Sequence, residues 1–89
     1  MNIQDRRLRR LFVHNKNSRL PPKLLPRLKR NLAILESAEQ PSDLTSYPGL
    51  RMHRLHGVQS GFWSISVSGN WRLTFRFEER EVVDVELVD

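Results

Sequence analysis

Residues 62–77 leave this chain few ways to fold. They read Phe62-Trp63-Ser64-Ile65-Ser66-Val67-Ser68-Gly69-Asn70-Trp71-Arg72-Leu73-Thr74-Phe75-Arg76-Phe77. Trp63, Ile65 and Val67 alternate with serines, and after the Ser68-Gly69-Asn70 break Trp71, Leu73, Phe75 and Phe77 alternate with Arg72, Thr74 and Arg76. Period-2 alternation on both sides of a Gly-Asn turn predicts an antiparallel β-hairpin, since Gly and Asn tolerate the positive φ of tight hairpin turns. The apolar set, with both tryptophans, predicts the floor of the core. The serine and arginine face is then either solvated or a working surface.

The remaining segments supply what that floor needs. Leu8, Leu11 and Phe12 stand at i, i+3, i+4 among arginines, predicting a short helix within residues 2–13. Residues 15–19 are polar and aperiodic, hence a loop. Pro21 and Pro22 announce a second helix, with Pro26 in or near its first turn, because a missing N–H is harmless there. Its stripe of Leu25, Leu28, Leu32 and Leu35 runs to about Ala38 and faces the sheet. Pro41-Ser42-Asp43 opens a single helical turn that buries Leu44. A short strand over residues 50–55 follows, and if Leu50 and Met52 face the core, Arg51, His53 and Leu55 share the open face. Val83, Val85 and Leu87 make a last strand. The expected architecture is α+β in one domain, residues 1–89, with two N-terminal helices on one face of a twisted, mainly antiparallel four-stranded sheet.

Composition narrows the function classes. A chain of 89 residues buries roughly 60–65% of its unfolded surface. It has no cysteine, so no disulfide framework and no thiolate metal site, compatible with a reducing cytosol. No apolar run nears the ~20 residues that span a bilayer, and the N-terminus lacks a signal-peptide segment; a cytoplasmic protein without membrane contact is expected. Charge is uneven: residues 1–35 hold ten Lys/Arg and one acid, residues 36–89 five Arg and nine acids. A basic half of that density suits a polyanionic partner, or simply solubilises two helices. Arg6, Arg7, Arg9, Arg10, Lys23 and Arg27 are the candidate cations for such a partner, nucleic acid or an acidic protein segment.

No Gly-rich phosphate loop, metal-ligand spacing or nucleophilic triad is present, and neither a metal nor a cofactor is expected. The open sheet face is the place for chemistry. It would carry His53, Arg72 and, at the end of the last strand, Asp89, with Arg54, His56 and Arg76 nearby. A histidine that exchanges protons and a guanidinium that clamps phosphate suit RNA cleavage by the neighbouring 2′-hydroxyl. Exposed strand residues with no chemical task are the alternative.

Several stretches resemble one family. They are Arg6-Arg7-Leu8-Arg9-Arg10-Leu11-Phe12, Leu20-Pro21-Pro22, Leu50-Arg51-Met52-His53-Arg54-Leu55-His56-Gly57, Gly61-Phe62-Trp63-Ser64-Ile65-Ser66-Val67 and Gly69-Asn70-Trp71-Arg72-Leu73-Thr74-Phe75-Arg76-Phe77. Over nearly the whole chain they look like the HigB toxins (plasmid-maintenance killer proteins) of the RelE/ParE superfamily. The resemblance implies a RelE-like microbial-RNase fold and metal-independent cleavage of mRNA in the A site of a translating ribosome. It also implies a HigA-type helix-turn-helix antitoxin, through which alone operator DNA is met. Acting residues of the family align with His53, Arg72 and Asp89, and a basic residue, commonly Lys, stands where this chain has His56. The family commonly ends Asp-Tyr-His, whereas this sequence ends at Asp89; if the Tyr-His pair is truly absent from the protein, low or no activity is expected. The competing readings are a gyrase-directed toxin of ParE type and a binding module without chemistry.

Overall fold

The computed structural model describes residues 1–16 and 19–89, so the centre of the expected loop at 15–19 lies outside the described residues. The elements are α1 (Arg6–His14), α2 (Leu25–Ser37), β1 (His53–Arg54), β2 (Trp63–Ser68), β3 (Trp71–Glu78) and β4 (Glu81–Val88). Single 3₁₀ turns occupy Pro22–Leu24, Pro41–Leu44 and Gly57–Gln59. The strands form one antiparallel sheet in the order β1-β2-β3-β4, and both helices pack on one side of it, the expected α+β arrangement.

Helix α1 runs Arg6–His14, so residues 2–5 of the stretch expected to hold it lie outside the helix. Asp5 is the cap: its carboxylate accepts the amides of Arg7 at 2.9 Å and Leu8 at 3.4 Å, two of the donors a helix start leaves unpaired. Ile3, expected inside the helix, is instead buried in a parallel bridge to Val85. The Asn2 amide donates to the Val82 carbonyl at 3.0 Å and the Gln4 amide to that of Val85 at 3.0 Å. The N-terminal segment thus covers the outer edge of β4, which would otherwise offer unpaired backbone groups.

Helix α2 begins after the Pro22–Leu24 turn with Pro26 in its first turn, and ends at Ser37 with Ala38 as cap. Leu28, Leu32 and Leu35 are fully buried against Ile65, Leu73, Phe75 and Val85, each such side chain contributing roughly 1.5–3 kcal/mol. Leu44 is likewise buried by the turn at Pro41–Leu44. Asn31, on the same helix face, donates its amide to the Ser66 carbonyl at 3.0 Å and ties α2 to β2.

The β2–β3 hairpin closes through Gly69-Asn70 with Ser68 opposite Trp71, and of the two loop residues only Gly69 has positive φ, at 57°. That matches a turn needing glycine at its first central position. The β3–β4 turn places both Glu79 and Arg80 at positive φ. Two irregularities shape the sheet, one at Val67 between Ser66 and Ser68, the other between Thr74 and Arg76, where β4 carries an extra residue. Trp63 and Trp71, expected in the core, are half-buried at its margin.

The strand expected over residues 50–55 is reduced to His53–Arg54. Residues on either side still track β2: the Ser66 amide donates to the Leu50 carbonyl at 2.7 Å, and the Leu55 amide to that of Phe62 at 2.9 Å. Between Leu50 and His53 there is one residue more than between Ser66 and Ser64. The chain absorbs it by putting Arg51 in the left-handed region at φ 49°, as a bulge does. Leu50 stays buried and Met52 packs on the core.

Candidate active site

Residues directly opposed across antiparallel strands share a sheet face. The register His53↔Ser64, Ser64↔Thr74, Thr74↔Glu86 makes one row on the side away from the helices. The next row is Ser66, Arg72 and Val88. His53 and Arg72 therefore rise from the same face, and His53 is exposed there.

Arg72 has two diagonal neighbours, Ser64 on one flank and Glu86 on the other, and it leans to the neutral one. Its Nε donates to Ser64 Oγ, and Nη2 donates to the carbonyls of Arg51 at 2.8 Å and Ser64 at 3.1 Å. Three of the five guanidinium N–H groups are thereby committed to fixed oxygens, while the two on Nη1 meet no acceptor among the described residues. Ser64 is only 2% exposed beneath this contact. Opposed strand residues stand about 4.5–5.5 Å apart at Cα, so a guanidinium seated on Ser64 lies one strand spacing from His53.

Charge completes the picture. Arg72 has no carboxylate partner among the described residues, and burial, then the nearby Arg51, push its guanidinium below the ordinary value. It remains a cation all the same. A half-buried cation held by neutral oxygens beside a second arginine retains most of its attraction for an anion. Arg76, two rows along β3 from Arg72 and beyond Thr74, is different. It pairs with Asp84 at 2.6 Å and Glu78 at 3.1 Å, and the Asp84 hydrogen bond chiefly raises its pKa.

The other sequence candidates scatter. Asp89 does not join His53 and Arg72 as expected: it follows Val88 and lines a groove of about 560 Å³ with Pro21, Pro22, Lys23, Asn70 and Trp71. Strand alternation accounts for this, because Val88 already occupies the open face opposite Arg72. Arg54 pairs with Trp63 rather than with the open-face row, its guanidinium carbon 5.4 Å from the indole centroid. His56 is exposed just before the Gly57–Gln59 turn, and Arg27 is exposed on α2. Arg6, Arg9 and Arg10 line one exposed face of α1 with Val13 and His14. Arg7 instead bonds back to Asp5, Nη2 to Oδ2 at 3.0 Å. Burial opposes the Asp5 charge, but the Arg7 side chain and the amides of Leu8 and Arg7 outweigh it and hold the carboxyl below its ordinary range.

Sequence reasoning missed two members of the site. Ser64 was legible only as one of several face serines, and Arg51 acts on Arg72 through a backbone carbonyl, which any residue type could supply. No group of three or more His, Asp or Glu converges in metal-binding fashion among the described residues, and no helix there is long and apolar enough to cross a membrane.

Comparison with known proteins identifies the family. Residues 1–89 match the family model described as the RelE-like toxin of type II toxin–antitoxin system HigB. The "Endoribonuclease HigB" of Proteus vulgaris is 30% identical over 76 residues, 85% of this chain and 82% of that protein. The "Toxin HigB-1" of Vibrio cholerae serotype O1 is 35% identical over 78 residues, 86% of this chain and 82% of that protein.

Proposed function

Because the chain belongs to the HigB-like family of RelE-like toxins of type II toxin–antitoxin systems, we propose that it arrests growth as an endoribonuclease that cleaves mRNA in the ribosomal A site. The observation that carries this reading is Arg72: fixed by three hydrogen bonds, without a carboxylate partner among the described residues, on the face that presents His53. In the proposed reaction a ribose 2′-oxygen attacks its own 3′-phosphorus, giving a 2′,3′-cyclic phosphate and releasing the 5′-oxygen of the next nucleotide. His53 handles one of the two protons, taking it from the 2′-hydroxyl or giving it to the leaving 5′-oxygen, and solvent handles the other. The free Nη1 hydrogens of Arg72 meet the phosphoryl oxygens, where charge grows in the transition state; clamps of this kind contribute roughly 10²–10³ in rate. Asp89, set on the groove beside Trp71, is given no step.

Membership in a type II system brings an antitoxin as protein partner. The finer reading is a HigA-type helix-turn-helix antitoxin in the cytoplasm, with operator DNA reached only through it. Arg6, Arg9, Arg10, Lys23 and Arg27 are exposed and without ion-pair partners among the described residues, which suits contact with ribosomal RNA phosphates.

The test is His53→Ala in the full chain. The variant is expected to keep the parental melting temperature, since His53 is exposed, while losing cleavage of ribosome-programmed mRNA and the ability to stop growth. An alanine variant that cuts and kills like the parent would overturn the assignment. Growth arrest with intact mRNA and damaged DNA would instead select gyrase-directed action.

A further inference from the structure

Beyond the His53–Arg72 pair, a second small concavity of about 280 Å³ opens next to Arg51, lined by Leu44, Thr45, Tyr47, Leu50, Arg51 and Met52. Its floor is apolar, because Leu44 and Leu50 are core residues. Its rim holds an aromatic ring, Tyr47, which is 38% exposed, and an exposed arginine without an ion-pair partner among the described residues. Arg51 belongs to both places: its carbonyl anchors Arg72 and the same residue lines the concavity.

The backbone at Arg51 adds an independent observation. Its φ of 49° is one that glycine adopts freely and a long side chain adopts at a cost. The contact with Arg72 uses only the main-chain oxygen, so fold and anchoring alone would be served as well by glycine. Two guanidinium groups are also kept near one another, with the charge of Arg51 felt at Arg72. A polyanion running across both would relieve that repulsion. The surrounding loop is held in place: Arg30 Nη2 donates to the Pro48 carbonyl at 3.3 Å, and Leu50 is tied to Ser66.

We propose that Arg51 and Tyr47 form a binding subsite for the nucleotide adjoining the scissile phosphodiester, Arg51 meeting its phosphate and Tyr47 stacking on its base. The inference rests on the ribonuclease reading above and deepens it. An apolar floor with an aromatic wall and one cation suits a flat heterocycle carrying a phosphate, and single-stranded nucleic acid is commonly held by such pairs.

The experiment follows single-turnover cleavage of a defined mRNA on ribosomes while the toxin concentration is raised, using the full chain and its Arg51→Gly, Tyr47→Ala and Tyr47→Phe variants. Arg51→Gly and Tyr47→Ala are each expected to raise the half-saturating toxin concentration by about tenfold, and Tyr47→Ala, which touches neither Arg72 nor His53, should keep the maximal rate within about twofold of parental. Tyr47→Phe keeps a stacking ring and should behave as the parent. Arg51→Gly should melt no lower than the parent, which separates lost binding from lost fold. Parental half-saturation for both Arg51→Gly and Tyr47→Ala, with the parent cleaving normally, would overturn the subsite and leave the nuclease reading intact. A parent that cleaves nothing under these conditions would overturn both.

Discussion

Replacing Ser64 by alanine removes a single oxygen, the acceptor of the Arg72 Nε–H, and leaves the two carbonyl anchors in place. Hydrogen bonds to charged groups contribute roughly 1.5–3 kcal/mol. With two of three anchors retained, the guanidinium is loosened and not released, so the lower figure applies. About 1.5 kcal/mol of lost positioning corresponds to about a tenfold fall in maximal rate. Stability should change less, by under ~1 kcal/mol, because Arg72 is only half-buried and its Nε–H can turn to water. The assay is single-turnover cleavage at saturating toxin, read beside thermal melting. Ser64→Thr restores the hydroxyl and should recover the rate to within about threefold of parental. A Ser64→Ala variant cutting at the parental rate would show that Arg72 is not held for the reaction. A threonine variant that folds normally yet is as slow as alanine would show that the oxygen is not the cause.

Two further perturbations follow from the same structure. Asp5→Ala should lower unfolding stability by about 1 kcal/mol through loss of the α1 cap, and Asp5→Asn by less, both read by denaturant titration. The folded-state Asp5 pKa is depressed, so its contribution is complete above the ordinary carboxylate range and is lost as pH falls through the lowered folded value. Melts taken downward from about pH 6 should therefore fall less steeply for Asp5→Asn than for the parent. Removing Arg6, Arg9 and Arg10 together should weaken ribosome binding and flatten its salt dependence by about 0.7 per lost phosphate contact, with cleavage at saturation unchanged. An unaltered salt slope would assign those arginines to another partner or to solvent.

The hairpin and the leucine stripe were legible because each rests on a period: apolar residues two apart must share a strand face, and those three and four apart a helix face. The Pro41–Leu44 turn was legible from its proline and Asp43. What escaped depended on contacts distant in sequence. Nothing local says that Ile3 prefers a bridge to Val85 over the first turn of α1; the choice exists only once β4 is present with its edge open. Residues 50–55 carry too weak an alternation to reveal an extra residue against β2, so Arg51 read as an ordinary strand position. The tryptophans were placed on the correct face, but at the sheet margin no element covers them fully.

Counting cations along the chain also misleads, because register decides which are already matched. Arg72 and Arg76 stand four residues apart on the same strand and face, yet the irregularity in β4 brings Asp84 within 2.6 Å of Arg76. Arg72 is flanked instead by Val88, with Glu86 on a diagonal from which it turns away. Had it leaned toward Glu86, the pair would satisfy its charge and leave little for a phosphate. The bulge ahead of β1 prevents that by offering the Arg51 carbonyl on the Ser64 side, so that three neutral oxygens lie together on one flank. The left-handed turn at Arg51, the buried Ser64 hydroxyl and the uncompensated guanidinium are thus one device, each locally unfavourable and explicable only through the others. Such clustered departures from local preference are where function is expected to reside.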